Sequence, residues 1–281
     1  MNDQKLAPPE SDARDFVGEL YRLMLGREPD ESGMTYFVGE VFEGRKTQAD
    51  VVRDFMAGEE FTATQFKKYK RVIDELQRQG ELTVTFPIDY APPGESGRCY
   101  VRRVKSGFYD RYCSGDLVLD VGFSGYENPE RKTALPNAIG IDLDYPGYDG
   151  IRLPFGDNSV DTVLSSHCLE HILYDSAAIQ DWYRVLKIGG YIVCMVPHQA
   201  LYEKKRFLPS RWNQDHKRMY TAATLVASFE AALEVNSFRV RHLAENDTGF
   251  DYSRGPDVHS DGAYEIELVI EKIKKPTWTL A

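Results

Sequence analysis

Leu117 to Ile172 reads LVLDVGFSGYENPERKTALPNAIGIDLDYPGYDGIRLPFGDNSVDTVLSSHCLEHI, and this stretch decides the fold. An apolar run closes on Asp120 and Gly122, and a second, AIGID, closes on Asp142. An LPF segment follows at Leu153, and a third run, VDTVLSS, leads into HCLEH. Buried strands that each end in an acid or a glycine build a parallel sheet with a nucleoside pocket at its strand ends. Glycine at 122 lets the backbone come close to a ligand, and Asp120 can accept hydrogen bonds from a charged amino group. An acid at the end of a second strand, Asp142, suits the two hydroxyls of a ribose.

Working outward, the pattern predicts a helix over Val101–Tyr112 before the stretch and a helix over Glu170–Leu186 after it. Then come a strand YIVCMVP, a helix from about Thr221 to Leu233 and a last strand YEIELVIEKI. Thr221 reads as the N-cap of its helix, with Leu225, Val226, Phe229 and Leu233 inward. Alternating strands and helices imply an α/β domain with a doubly wound, mostly parallel sheet over residues 101–281. Residues 80–100, including FPIDYAPPGESGR, read as a linker loop. Residues 1–79 read as a small all-α domain. Phe16, Leu20, Leu23 and Met24 form one helical stripe that Gly26 can end. Met34, Phe37, Val38, Val41 and Phe42 form a second, and Val51, Val52, Phe55 and Met56 a third.

The acid and LPF motifs resemble the class I S-adenosylmethionine-dependent methyltransferases, in the branch whose signature runs D-L-P-F-x-D-x-S-F-D. The resemblance covers about Val101 to Lys272 and implies a Rossmann-like methyltransferase fold using S-adenosylmethionine, with S-adenosylhomocysteine as product. It implies that Asp120 and Gly122 hold the methionine part, Asp142 the ribose and Asp149 the adenine amino group, with Phe123, Ser124, Gly125, Leu143, Ile151, Arg152 and Leu153 as further cofactor contacts. Ser165, Ser166 and His167 would face cofactor and substrate from the end of the VDTVLSS strand. The loop departs from G-x-G-x-G, having Gly122, Ser124 and Tyr126 with Gly125 displaced by one, and reads as a remodelled turn. The run from Asp142 to Asp149 is too short for the usual crossover helix. A nicotinamide enzyme would need G-x-G-x-x-G after the first strand, and GFSGYE does not supply it.

LYRLMLGREPD.SG..Y in the first quarter resembles a small bacterial helical domain of unknown function often found beside glycosyltransferases. That neighbourhood implies a sugar hydroxyl of a surface polysaccharide, lipid-linked glycan or nucleotide-sugar as acceptor. It also implies a homo-oligomer or a glycosyltransferase partner formed through the helical domain. Methylation of another small metabolite, and a non-catalytic scaffold in glycan assembly, stay open as alternatives.

A hydroxyl is a poor nucleophile at neutral pH, so a base is expected near it. PHQALYEKKRFLPSRWNQDHKRMYT follows the YIVCMVP strand and is dense in polar groups. His216 is the expected base, with Asp215 beside it and His167 and His198 as further candidates. Arg211, Trp212, Arg218 and Tyr220 are expected to bind substrate. His167 and His171 stand four apart, which on a helix would turn both toward one ion, but the order H-E-x-x-H is absent and no metal is expected. Asp247, Asp251, Asp257, His259 and Asp261 read as a solvated acidic loop.

The chain has 281 residues, 42% of them hydrophobic, enough for one large domain or two smaller ones. A formal net charge of −10 opposes binding to nucleic acid or to an anionic membrane. The four cysteines lack CxxC spacing, and the polar N-terminus lacks an apolar leader, so a cytoplasmic protein without membrane insertion is expected.

Overall fold

The computed structural model describes residues 9–57, 60, 61, 64, 86–90, 92, 94–124 and 132–278. The chain divides into two compact units, Met1–Leu82 and Thr83–Ala281.

In the first unit, helices α1 (Glu10–Leu20), α2 (Glu31–Phe42) and α3 (Gln48–Ala57) enclose a core of Ala13, Val17, Leu20, Tyr21, Val38, Val41, Val51 and Phe55. Asp30 caps α2 by accepting from the Gly33 N–H at 2.8 Å. The end of α1 departs from the expected stripe. Tyr21–Leu25 forms a π turn that closes on Gly26 in the left-handed region (φ 67°), so Leu23 swings outward and is 78% exposed. Phe42, also expected inward, is exposed.

The second unit begins with three short helices, α4 (Gly94–Arg98), α5 (Tyr100–Lys105) and α6 (Phe108–Tyr112). The expected helix over 101–112 is therefore broken at Gly107, whose φ of 69° stops α5 and starts α6. Gly94–Arg98, read from the sequence as part of a linker, forms α4. Strands β1 (Val118–Val121), β2 (Ala138–Ile141), β3 (Val160–Ser166), β4 (Leu186–Pro197), β5 (Phe238–Asn246) and β6 (Glu265–Lys272) form one sheet in the order β2-β1-β3-β4-β6-β5. Strand β1 pairs in parallel with β2 and β3, and β3 with β4; β6 runs antiparallel to both its neighbours. This is the doubly wound, mostly parallel sheet expected of a Rossmann-like methyltransferase fold. Tyr100, Tyr109 and Tyr112 from α5 and α6 pack with Val118, Leu164, Val193 and Val269 of the sheet. Helices α7 (Asp175–Val185) and α8 (Ala222–Ala232) contact β4 and β6 and bury Ile179, Trp182, Leu225 and Phe229 completely. Thr221 caps α8 as expected, with its side chain accepting from Thr224 N–H.

Two elements differ from the sequence expectation. The helix expected from Glu170 begins only at Asp175, because the Glu170 carbonyl accepts from the N–H groups of Lys217 (2.8 Å) and Arg218 (3.3 Å), outside the helix. Residues Leu169–His171 form a single 3-10 turn instead. Strand β5 was not anticipated, since FRVRHLAEN carries charge on an edge strand and hides little of itself. Among the described residues no helix is long and apolar enough to cross a membrane.

Candidate functional site

The parallel strands β1, β2 and β3 all end at one edge of the sheet, where two cavities meet. A cavity of about 330 Å³ is lined by residues that include Glu95, Asp120, Lys132, Glu170, Tyr202 and His216. A second, of about 580 Å³, includes Asp142, Leu143, Tyr148, Asp149, Ile151 and Asp215. Gly122, Ser124, His167 and His171 line both. The turn after β1 explains why they approach so closely. Gly122 has φ 87°, and a Cβ there would sit 2.4 Å from Cys168 Sγ and 2.5 Å from its Cβ. Only glycine lets the β1 turn and the chain leaving β3 share this space.

On the β1 and β2 side, each carboxylate is held by main-chain N–H groups. Asp120 Oδ2 accepts from Ala134 at 2.6 Å. Burial pushes its carboxyl up to about 7; the Ala134 bond opposes this and the nearby charge of Asp142 adds to it. Asp142 accepts from Ser124 through Oδ2 and from Leu143 through Oδ1, both at 2.8 Å. Asp149 Oδ1 accepts from Ile151 (2.9 Å) and Arg152 (2.7 Å), and these bonds hold its carboxyl below the usual range.

On the β3 side, His167 follows the strand in the left-handed region (φ 54°) and donates its main-chain N–H to Met195. This strained turn projects the short 169–171 helix over the cavity. Glu170 is 1% exposed, and among the described residues neither of its carboxylate oxygens has a hydrogen-bond partner. Its Oε1 lies 3.8 Å from His167 Nδ1 and 3.9 Å from His171 Nε2. His171 Nδ1 meets Asp215 at 2.9 Å, and the buried His216 meets Glu203 through Nδ1, also at 2.9 Å. The His171 and His216 rings stand edge to face, 4.8 Å between centroids. His167 reaches the other way, 3.4 Å from Glu265, which also pairs with the buried Arg103 at 2.7 Å. Burial alone would lower the His167 pKa; the bond and charge of Glu265, with Glu170 and Glu95 nearby, leave it raised.

Several expected residues lie elsewhere. Asp215 and His216 do not pair with each other, because they turn to His171 and Glu203 respectively. His167 and His171 do not share a helix face. Among the expected substrate residues and bases, the following line neither cavity. His198 caps a π turn by accepting from Ala200 N–H and pairs with Glu245. Arg211 donates to Pro256 and Asp257, Arg218 to Asp175 and Leu173, and Tyr220 is buried against Asp175. Trp212 packs edge-on against His259 at 5.2 Å. These side chains fix the loop rather than present it to a ligand. On the cofactor side, Leu153 is buried with its N–H on Asp181, while Ser165 and Arg152 also line neither cavity. Phe123 lines the smaller cavity but also wedges its ring over Gly140, where a Cβ would meet it at 2.7 Å. Gly125 lies outside the described residues. Glu95, Glu170 and Glu203 were not anticipated: the first lay in a supposed linker, and the others lacked a motif. No metal was expected, yet Glu170, His171 and His216 each offer a ligand atom within 4.8 Å of the others. In the late acidic loop, Arg254 and Arg211 neutralise Asp251, Asp261 and Asp257, as suits a solvated loop.

Comparison with known proteins adds a family to this geometry. Residues 119–194 match the family described as "Methyltransferase domain", and residues 4–65 match a domain of unknown function, DUF4214. A Mycolicibacterium smegmatis protein described as "Probable S-adenosylmethionine-dependent methyltransferase" is 29% identical over 180 residues, covering 55% of this chain and 69% of its own. The ubiquinone/menaquinone biosynthesis C-methyltransferase UbiE of Xanthomonas campestris is 27% identical over 187 residues, covering 59% of this chain and 66% of its own. The chain thus spans about two thirds of the length of these curated relatives. Among solved structures, a SAM-dependent methyltransferase from Aquifex aeolicus is 16% identical, with a TM-score of 0.40 over 74% of this chain and 98% of that one.

Proposed function

We propose that the Thr83–Ala281 unit, an S-adenosylmethionine-dependent methyltransferase by its domain match and relatives, transfers its methyl group to a sugar hydroxyl. One observation carries the choice of an oxygen acceptor. Where the two cavities meet, a buried, unpartnered carboxylate (Glu170) stands between imidazoles, His171 and His216, that are each oriented by a further carboxylate. Such a group can take a hydroxyl proton.

The cofactor fits the strand ends. Each oxygen of Asp142 keeps a lone pair beyond its main-chain bond, which suits the ribose diol. Ionised Asp120 accepts from the methionine ammonium, and its Ala134 bond fixes its direction. Asp149 shapes the turn that sets Ile151 beside Leu143 and Tyr148, a largely apolar wall for adenine. When bound, S-adenosylmethionine supplies an electrophilic methyl on a sulfonium and leaves as a neutral thioether. The chain contributes placement of the acceptor and a destination for its proton at the Glu170 group, and placement supplies much of the rate. The substrate contacts we propose narrow to the cavity wall, with Glu95, Tyr202 and Asn213 toward the acceptor. We read the helical first unit as a docking module for a glycosyltransferase or for a second copy.

Labelled methyl transfer to a panel of nucleotide-sugars, oligosaccharides and a demethylated quinol tests the reading. An O-methylated sugar is expected. Transfer to quinol carbon alone would overturn it.

A further inference from the structure

We infer that Glu170, His171 and His216 form a binding site for a divalent transition-metal ion at the junction of the two cavities. The donor set is two imidazoles and one carboxylate, suited to zinc and its first-row neighbours. The three ligand atoms already lie within 4.8 Å of one another, and His171 Nε2 is 3.9 Å from Glu170 Oε1. A tetrahedral ion with bonds near 2.0–2.1 Å needs its ligands roughly 3.3 Å apart, so small side-chain rotations complete the site.

Two independent features point to an ion rather than a chance cluster. Glu170 is almost wholly buried, and among the described residues its oxygens receive no hydrogen bond, with the His167 and His171 nitrogens 3.8 and 3.9 Å away; a carboxylate in that state is costly without a closer positive partner. The histidines are also set as metal ligands are. His171 uses Nδ1 on Asp215 and His216 uses Nδ1 on Glu203, which leaves each Nε2 as the coordinating nitrogen. A carboxylate behind each ligating imidazole fixes its tautomer and strengthens it as a donor. The placement is assembled from three segments: the turn after β3, the π turn Gln199–Glu203 after β4, and the 213–216 loop. Asn213 Oδ1 accepts from Asp215 N–H at 3.0 Å and so sets that loop.

Three protein ligands leave a coordination position open toward the cavity, the pattern of catalytic rather than structural sites. Resting on the acceptor reading above, that position would hold the sugar hydroxyl and lower its pKa. Glu170 and His216 are then metal ligands rather than bases, and the proton of the bound hydroxyl passes to solvent in the cavity.

The test uses the full chain, stripped with chelator and titrated with Zn²⁺ by calorimetry and with Co²⁺ by visible absorption. One ion per chain and d–d bands of a histidine-ligated Co²⁺ are expected. Glu170→Gln and His216→Ala should each weaken binding at least about 100-fold, and Asp215→Asn, on an exposed residue that cannot unfold the unit, about 10-fold. Stoichiometric binding that these three variants leave unchanged, or no binding by the wild type, overturns the site. S-adenosylhomocysteine affinity and methyl transfer to sugars are measured in parallel. Cofactor binding without metal binding refutes the ion alone, and metal binding without any sugar methylation refutes the acceptor alone.

Discussion

On the cofactor side of the site, Asp120, Asp142 and Asp149 each accept from main-chain N–H groups. On the acceptor side, Glu170 accepts from no group among the described residues, and its histidine neighbours are held by Asp215 and Glu203 side chains. Main-chain bonds set the first group as soon as the turns fold, so that half is preformed. The second group is buried and, among the described residues, without a hydrogen-bond partner, so it offers a place for a ligand or ion. The comparison implies that binding of cofactor and activation of acceptor can be separated by mutation.

The largest effect is expected on the acceptor side. Glu170→Gln should lower methyl transfer by about 10²–10⁴-fold while leaving S-adenosylhomocysteine affinity unchanged; a parallel loss of cofactor binding would break the separation. Gly122→Ala strikes where the two sides touch. With φ 87° and Cys168 Sγ 2.4 Å from the new Cβ, it should destabilise the unit by about 1–3 kcal/mol, read by denaturant unfolding, and wild-type stability would contradict the close approach.

Asp120 sharpens the contrast through pH. Its carboxyl is raised from 3.8 to about 7. Between those values the folded chain binds a proton that the unfolded chain has released. This group's contribution to apo stability is therefore present below the unfolded value, falls as pH rises to 7, and is flat beyond. Cofactor binding needs the carboxylate, so affinity should fall about fivefold from pH 7 to pH 6. Asp120→Asn should flatten that dependence, weaken binding at pH 8, and raise apo stability there, because no buried charge remains. Binding by the wild type that does not change with pH would remove Asp120 from the ammonium. The smallest effect is expected at Arg211→Ala, whose guanidinium serves the loop at Pro256 and Asp257. Methyl transfer should change by less than about threefold, in line with an exposed ion pair.

The same contrast explains what the sequence disclosed. Asp120, Asp142 and Asp149 stand at strand ends or in a tight turn, so local pattern places them, and the parallel sheet follows from the same runs. Glu170 looked like a helix residue because its neighbours are helix-formers; its carbonyl is drawn off by Lys217 and Arg218, more than forty residues along the chain. His216 was legible as a candidate, but its true partner Glu203 lies beyond a turn that adjacency with Asp215 concealed. Arg211, Arg218 and Tyr220 have the chemistry of substrate binding, and only packing shows that Arg211 is engaged by Pro256 and Arg218 and Tyr220 by Asp175. Strand β5 stayed hidden because an edge strand buries too little to need an apolar pattern.

The central claim is that a preformed pocket at the ends of β1 and β2 holds the cofactor independently of the acceptor group. Calorimetric titration of S-adenosylhomocysteine into the wild type, Asp142→Ala and Glu170→Gln tests it most directly. One equivalent should bind the wild type and Glu170→Gln alike, with affinity for Asp142→Ala reduced about 10–100-fold by loss of the charge-assisted bonds to the ribose. Unchanged affinity in Asp142→Ala would contradict the pocket.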